Sequence, residues 1–346
     1  MTDLSNFNPN SVSNPNNNIF GLPFTEEEAS IVLFPVPWDV TSSYNAGTAR
    51  SAEHIVKAAL QVDLFDHDGK DDWRKGFYIM PVDKKILMKS DYLRKEAELY
   101  IDYISRGGNL SDNKFMCKSL KDINEGSVFL NNWVFEQTKN LLDKNKLVGL
   151  IGGDHSTSFG YIKALATYHN SFAILQIDAH CDLRVAYENF TYSHASVMHN
   201  VLQEINQVSQ LVQLGVRDFC EEEMFCIKNH SSKITTFFDK EIKEQMFEGI
   251  TWKTITDNII KALPNKVYIS FDIDGLDPKL CPNTGTPVPG GFEVEQIIYL
   301  FRKIKEAGKQ IIGFDLVEIG VSEQDWDSNV AARILFRMCN LIVKNN

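Results

Sequence analysis

The sequence predicts an α/β protein whose mostly parallel central sheet is covered by helices on both faces. Two observations carry this. Continuous apolar runs, without polar alternation, alternate with stretches of helical spacing along most of the chain. From residue 147 onward, several of these runs end in His, Asp or Glu, and the carboxyl ends of strands are where open α/β sheets bind ligands. No fixed-period repeat or linker divides the 346 residues. One large domain over residues 24–346 is therefore expected, preceded by an arm at residues 1–23.

The arm is rich in Asn and Pro, with Asn6, Asn8, Asn10, Asn14, Asn16, Asn17 and Asn18. Such a segment buries little apolar surface, so it reads as flexible or loosely docked, either solvated or touching another subunit. Residues 31–36 are β-branched and aromatic and read as a buried strand closed by Pro37. Residues 44–50 read as a loop and 52–60 as a helix, while 62–90 give no clear pattern. Helices are expected at 90–105, before Gly107 and Gly108, and at 131–144.

The alternation then becomes regular. Strands are expected at 147–151, 172–177, 208–216, 233–238, 266–271 and 310–314. Helices are expected at 156–168, 254–263, 293–307 and 328–343.

Composition narrows the function. A net charge of −11, with no basic stripe, argues against a nucleic-acid phosphate backbone as partner. No apolar run reaches the ~18–20 residues of a membrane helix, and the first residues do not read as a signal peptide. Six scattered cysteines contain no C-x-x-C pair, which fits a reducing compartment, the cytoplasm, better than a disulfide scaffold. G-x-G-x-x-G and P-loop fingerprints are absent from the sequence.

The residues closing the strands carry the chemistry. His155 follows Gly152-Gly153-Asp154. Asp178, His180 and Asp182 are two apart, and so are Asp272 and Asp274. Residues spaced by two in an extended segment point to one side, so each set can converge. Bare carboxylates gathered at one point repel, and divalent cations resolve that repulsion. Imidazole with carboxylate suits a first-row transition metal such as Mn, Ni or Zn. Two ions held close together acidify a shared water.

These segments resemble the three signatures of the ureohydrolase (arginase/agmatinase) family: Gly152-Gly153-Asp154-His155-Ser156, Asp178-Ala179-His180-Cys181-Asp182, and Ser270-Phe271-Asp272-Ile273-Asp274-Gly275-Leu276-Asp277-Pro278. The resemblance spans about residues 30–343 and feels closest to bacterial agmatinase-like members. It implies a three-layer α/β/α arginase-like fold, two divalent ions per subunit (Mn2+ first, Ni2+ as alternative), trimers or hexamers, and hydrolysis of a guanidino group to urea and an amine. It further implies that His155, Asp178, Asp182 and Asp272 hold one ion and His180, Asp178, Asp272 and Asp274 the other. His194 corresponds to a mobile catalytic histidine, with His199 a competitor read as structural because it falls inside the next helix. Glu318 corresponds to the late glutamate that receives the guanidinium. Asp154 and Asp277 correspond to residues that orient ligands, or else cap turns.

The substrate is less constrained. Agmatine is the first expectation, giving putrescine and urea. Guanidine, in a small closed pocket lined by Trp38, Thr41 or Trp252, is the runner-up, followed by arginine, guanidinobutyrate and formiminoglutamate. Arg184 is a departure from relatives: it either sets a cation at the pocket mouth, disfavouring a second positive charge on the substrate, or faces away in a surface pair. Two readings outside this class are a single-zinc, deacetylase-like amide hydrolase and a non-catalytic scaffold.

Overall fold

In the computed structural model, residues 4, 5 and 7–342 are described. Asn6 of the Asn-rich arm and Val343, the expected end of the last helix, lie outside the described residues. The strands are β1 (Ile31–Val36), β2 (Phe77–Ile79), β3 (Leu147–Gly152), β4 (Phe172–Ile177), β5 (Val208–Leu214), β6 (Ile234–Phe237), β7 (Lys266–Asp272) and β8 (Gln310–Val317). They form one sheet in the order β2-β1-β3-β8-β7-β4-β5-β6, and every pairing is parallel.

The helices are α1 (Ser51–Ala59), α2 (Lys84–Ser105), α3 (Lys114–Asp143), α4 (Ser158–Leu165), α5 (Val197–Glu204), α6 (Glu221–Asn229), α7 (Asp239–Phe247), α8 (Trp252–Ala262), α9 (Val294–Glu306) and α10 (Trp326–Ile342). Alternate residues of each central strand enter different cores. Ile31, Leu33, Leu175 and Ile269 pack with apolar residues of α1, α8, α9 and α10. Val32, Phe34, Ile174 and Tyr268 pack with those of α2, α3, α4 and α5. Burial on both faces explains why the strands read as unbroken apolar runs. The result is the expected three-layer α/β/α architecture.

Several elements differ from the sequence reading. β2 is only three residues long and sits at the sheet edge, too short for a periodic signal. α3 begins at Lys114 rather than 131 and includes Gly126. A Cβ there would come within 2.3 Å of a Leu93 methyl, so the glycine serves the close packing of α2 on α3 rather than breaking the helix. α6 and α7 are polar, and little of either is buried. The arm is not loosely docked throughout: Ile19, Phe20 and Leu22 are fully buried, and the Asn18 side chain accepts the Ile79 N–H and donates to the Ile79 carbonyl. Pro35 is tolerated in β1 because β2 pairs only with Ile31–Leu33. Among the described residues no helix is long and apolar enough to cross a membrane.

Topology places the site. β3 and β4 are consecutive in the chain, yet β8 and β7 lie between them. Such a switch in strand order opens a crevice at the carboxyl ends. Ile177 is in register with Phe271, and Asp272 with Val317. Asp178, Asp272 and Glu318 therefore emerge side by side, and His155 follows β3 across β8.

Candidate metal centre and active site

His155 is delivered by a loop that passes very close to β1. A Cβ on Gly153 would lie 1.7 Å from the Trp38 carbonyl oxygen. That oxygen accepts the Asp154 N–H at 2.8 Å, and Gly153 N–H donates to Val36. The glycine pair is needed for close approach, as its position in the sequence suggests. Asp154 is fully buried and accepts Thr41 Oγ1–H and N–H and the Ser156 N–H. It orients the loop rather than reaching the carboxylate cluster.

The imidazole of His155 is held at its far edge. Its Nε2 lies 2.8 Å from Ser270 Oγ, and Ser270 Oγ donates to Asp315 at 2.9 Å. Tyr268 Oη also donates to Asp315, at 2.6 Å. This chain assigns the proton to Nε2 and leaves the Nδ1 lone pair facing the crevice. Nδ1 sits 3.1 Å from Asp178, 2.9 Å from Asp182 and 3.5 Å from Asp272, yet it makes a hydrogen bond to none of them.

A second group adjoins it. His180 Nδ1 lies 3.0 Å from Asp274 and 3.5 Å from Asp178. Two sets of donor atoms thus share Asp178: His155, Asp178 and Asp182, and Asp178, His180 and Asp274, each set lying within 4.8 Å. Backbone amides hold one oxygen of three of these carboxylates: Ala179 N–H on Asp274 Oδ1, His180 N–H on Asp178 Oδ1, and Asp274 N–H on Asp272 Oδ1. The convergence is not that of an extended strand. Asp182 has φ +56°, a left-handed conformation uncommon outside glycine, and Asp274 lies in a short 3-10 turn.

Without a cation the cluster is electrostatically frustrated. Burial, then the neighbouring Asp178, pushes Asp182 up to about 7. Burial and the charge of Asp274 raise Asp272 well above the carboxylate range. Burial opposes charge on His155, but the surrounding carboxylates outweigh it and raise its pKa. His180 is raised in the same way, with Asp274 as the largest opposing contribution. The donor set of imidazoles and carboxylates fits divalent transition ions.

Beside these donors is a cavity of about 250 Å³, lined at its base by His155, His180, Asp182, Asp272 and Glu318. Glu318 has φ +59° and is buried. Its Oε1 accepts the His155 N–H at 3.0 Å, while Oε2 has no partner among the described residues. Burial, then repulsion from Asp154, raises its pKa well above the ordinary value. His194 lines the wall, between Ser43 Oγ at 3.4 Å from Nε2 and Ser193 Oγ at 3.3 Å from Nδ1. Its burial and the charge of His180 lower its pKa to about 3. His199 is on α5, where its backbone donates to Asp182 O, and it does not line the cavity.

The outer residues divide. Arg184 does line the cavity; its guanidinium stacks 4.9 Å from the Tyr187 ring and its Nε is 3.8 Å from Glu223. Arg184 does not face away in a surface pair: it sits in the cavity lining, and its partner Glu223 is buried in the same lining. Thr41 lies behind the wall, accepting the His194 N–H. Trp38 and Trp252 do not line the cavity. The Trp38 ring is fully buried in the apolar core. Trp252 packs on Phe292 and donates to Gln296 O. Asp277 is a turn-capping residue, accepting Lys279 N–H, with its side chain partly exposed.

Sequence reasoning missed Tyr44, Tyr187, Asp218 and Glu223 in the lining. It also missed Arg217, whose guanidinium donates to the carbonyls of Asp274, Leu276 and Val288 and so fixes the metal loop against the rim. An arginine just after a strand end was the available signal.

Comparison with known proteins agrees with this geometry. The sequence model of the arginase family matches residues 29–340. The chain is 26% identical to N(1)-aminopropylagmatine ureohydrolase of Thermus thermophilus, over 91% of each chain. It is 29% identical to agmatinase of Bacillus subtilis, over 92% of this chain and 93% of that one. Its fold is similar to that of proclavaminate amidino hydrolase from Streptomyces clavuligerus, with TM-score 0.70, 20% identity, and 94% and 96% of the two chains covered. The chain belongs to the arginase family, whose members are metal-dependent hydrolases of C–N bonds.

Proposed function

We propose that the chain is a ureohydrolase of the agmatinase type, cleaving agmatine to putrescine and urea with two divalent ions, Mn2+ first and Ni2+ as the alternative. The observation that carries this reading is the buried Glu318, whose Oε2 is unpartnered among the described residues and which lines the same cavity as His155, His180, Asp182 and Asp272. A guanidinium bound there meets an anion and restores the ionised state that burial disfavours. His155, Asp178, Asp182 and Asp272 would hold one ion, and His180, Asp178, Asp272 and Asp274 the other. The ions, when bound, supply an acidified water and neutralise developing charge.

The chain's own groups do the rest. Glu318 fixes the guanidinium carbon relative to the ligand cluster, which supplies orientation. His194, held neutral by burial, accepts or delivers protons at the leaving nitrogen.

The wall bears on the chain length and charge of the proposed substrate. The cavity runs from Glu318 to Tyr44, which is largely exposed, and to Asp218 at the rim. That supports an alkylguanidine over free guanidine. Arg184 is balanced by Glu223, leaving Asp218 as the uncompensated charge. An acidic rim favours a distal amine and disfavours the α-carboxylate of arginine. The same rim, with the similarity to an aminopropylagmatine ureohydrolase, supports N1-aminopropylagmatine as a second reading.

The test is urea release from Mn2+-loaded protein offered agmatine, N1-aminopropylagmatine, arginine, guanidinobutyrate and guanidine. Agmatine or its aminopropyl derivative should lead by at least tenfold in kcat/KM. Preference for arginine or guanidine would reject the reading. One Zn2+ per chain and no urea from any of these would favour a deacetylase-like hydrolase instead.

A further inference from the structure

Two glutamines stand in the middle of otherwise apolar strands. Gln176 on β4 and Gln213 on β5 are both fully buried. They are direct partners in the sheet register, and Gln213 is likewise in register with Thr236 on β6. On the other side Gln176 is in register with Ser270 on β7, and Ser270 with Asp315 on β8. A polar row thus crosses five adjacent strands. It lies one layer beneath Asp178, which follows Gln176 by two.

The hydrogen bonds in this row have a direction. Thr236 Oγ1 donates to Gln213 Oε1 at 2.8 Å. Gln213 Nε2 donates to Gln176 Oε1 at 2.8 Å and to the Cys181 carbonyl at 2.8 Å. Gln176 Nε2 donates to Asp178 Oδ2 at 2.9 Å and to the His180 carbonyl at 3.4 Å. Each amide uses both of its N–H groups, and each amide oxygen is occupied. The Cys181 and His180 carbonyls and the Asp178 carboxylate can only accept, so they fix which way both amides face, and the β6 hydroxyl donates to the amide oxygen left over.

Burying two amides in a sheet interior carries desolvation and side-chain entropy costs that an apolar pair would avoid. The packing itself does not call for them. Their shared targets are the Asp178 carboxylate and the carbonyls of the loop that carries His180 and Asp182.

We propose that Gln176 is a positioning residue for Asp178, and that Gln213 and Thr236 brace it by occupying the amide oxygens of the row, so that strands β5 and β6 support the shared metal ligand from one layer below. Gln176 orients one oxygen of the carboxylate common to both donor sets and draws charge from it. Hydrogen-bonded partners of this kind change metal affinity by about 10–100-fold. This inference rests on the metal-centre reading above.

The experiment compares wild type with Gln176→Leu, Gln213→Glu and Thr236→Val. Mn2+ stoichiometry and affinity are measured by competition with a fluorescent chelator, Tm on the metal-free proteins, and kcat and KM for agmatine at saturating Mn2+. Gln176→Leu should bind Mn2+ roughly 10–100-fold more weakly, with metal-free Tm and KM unchanged and kcat reduced. Gln213→Glu keeps the acceptor for Thr236 but forces Gln176 to turn its N–H groups away from Asp178. It should match the loss in Gln176→Leu. Thr236→Val lies farthest from the ligands and decides the matter if the other two do not fold: a smaller loss of Mn2+ affinity at unchanged Tm supports the relay. Mn2+ affinity within twofold of wild type in every folded variant overturns the inference, as does a loss that follows metal-free Tm. A wild type that binds no Mn2+ overturns both this inference and the metal-centre reading. One that binds Mn2+ but releases no urea overturns only the proposed substrate reaction.

Discussion

Glu318 accepts the backbone N–H of His155 through one carboxylate oxygen, at 3.0 Å, and keeps the other oxygen free of any partner among the described residues. One side chain thus touches the His155 loop and the cavity together. The bond to His155 fixes the direction of the free oxygen, and the left-handed backbone at Glu318 is the strain this arrangement requires.

Replacing Glu318 by Gln keeps the shape and the bond to His155 while removing the charge. A charge-assisted contact to a guanidinium contributes about 1.5–3 kcal/mol. Catalytic efficiency on agmatine should therefore fall roughly 10–150-fold, with Mn2+ content unchanged by elemental analysis. Equal activity in Glu318→Gln would remove Glu318 from substrate binding.

Ser270→Ala tests the other end of His155. Without the hydroxyl, Nε2–H loses its acceptor and the link to Asp315. The lone pair at Nδ1 is then no longer enforced. Mn2+ affinity should drop about 10–100-fold, with activity recovered at high Mn2+. A titration of activity against free Mn2+ reads this directly.

The metal-free protein should become less stable as pH rises from about 4 to 8, the reverse of ordinary acid denaturation. Asp182 is raised to about 7 and Asp272 and Glu318 are raised as well, so the folded state holds more protons than the unfolded state across this window. Stability then falls with increasing pH. His155 and His180, also raised, add loss in the same direction at higher pH. Asp178 and His194 run the other way: His155 and His180 outweigh the burial of Asp178 and lower its pKa, so its contribution is lost only in acid, and His194, lowered to about 3, offsets part of the loss below the ordinary histidine value. Mn2+ replaces the protons, and the loaded protein should show Tm rising over the same window. Parallel Tm-against-pH curves for the metal-free and loaded forms would contradict this.

Much of this site was legible in the sequence because the ligands sit where strands end. An apolar run terminating in Asp or Gly-Gly-Asp-His leaves its polar residue at the sheet edge whatever the neighbouring strands do. Which strands are neighbours is set by long-range register, so the grouping of ligands by ion came from the family resemblance and not from the spacing. The tryptophans failed for a different reason. Trp38 and Trp252 lie near loops in sequence, but a large apolar ring is stabilised more by a core than by a wet wall, and both rings are in the core or against it. Gln176 and Gln213 were visible as polar interruptions of apolar strands, and their meaning became apparent only in register.

The rim offers the sharpest test of substrate charge. Arg184 and Glu223 are paired at 3.8 Å, and Glu223 also accepts the Leu183 and Cys220 backbone N–H groups. Glu223 is thus held in place whether or not Arg184 is present. Removing the arginine should leave Glu223 and Asp218 both uncompensated at the mouth. Arg184→Gln should lower KM for agmatine a few-fold at low salt and raise it for guanidinobutyrate, whose far end is anionic. Asp218→Asn should do the opposite. Both effects should shrink as ionic strength approaches about 0.5 M, where screening acts over only a few ångströms. A change of the same sign for both substrates would mean that Arg184 acts by packing on Tyr187 rather than through its charge.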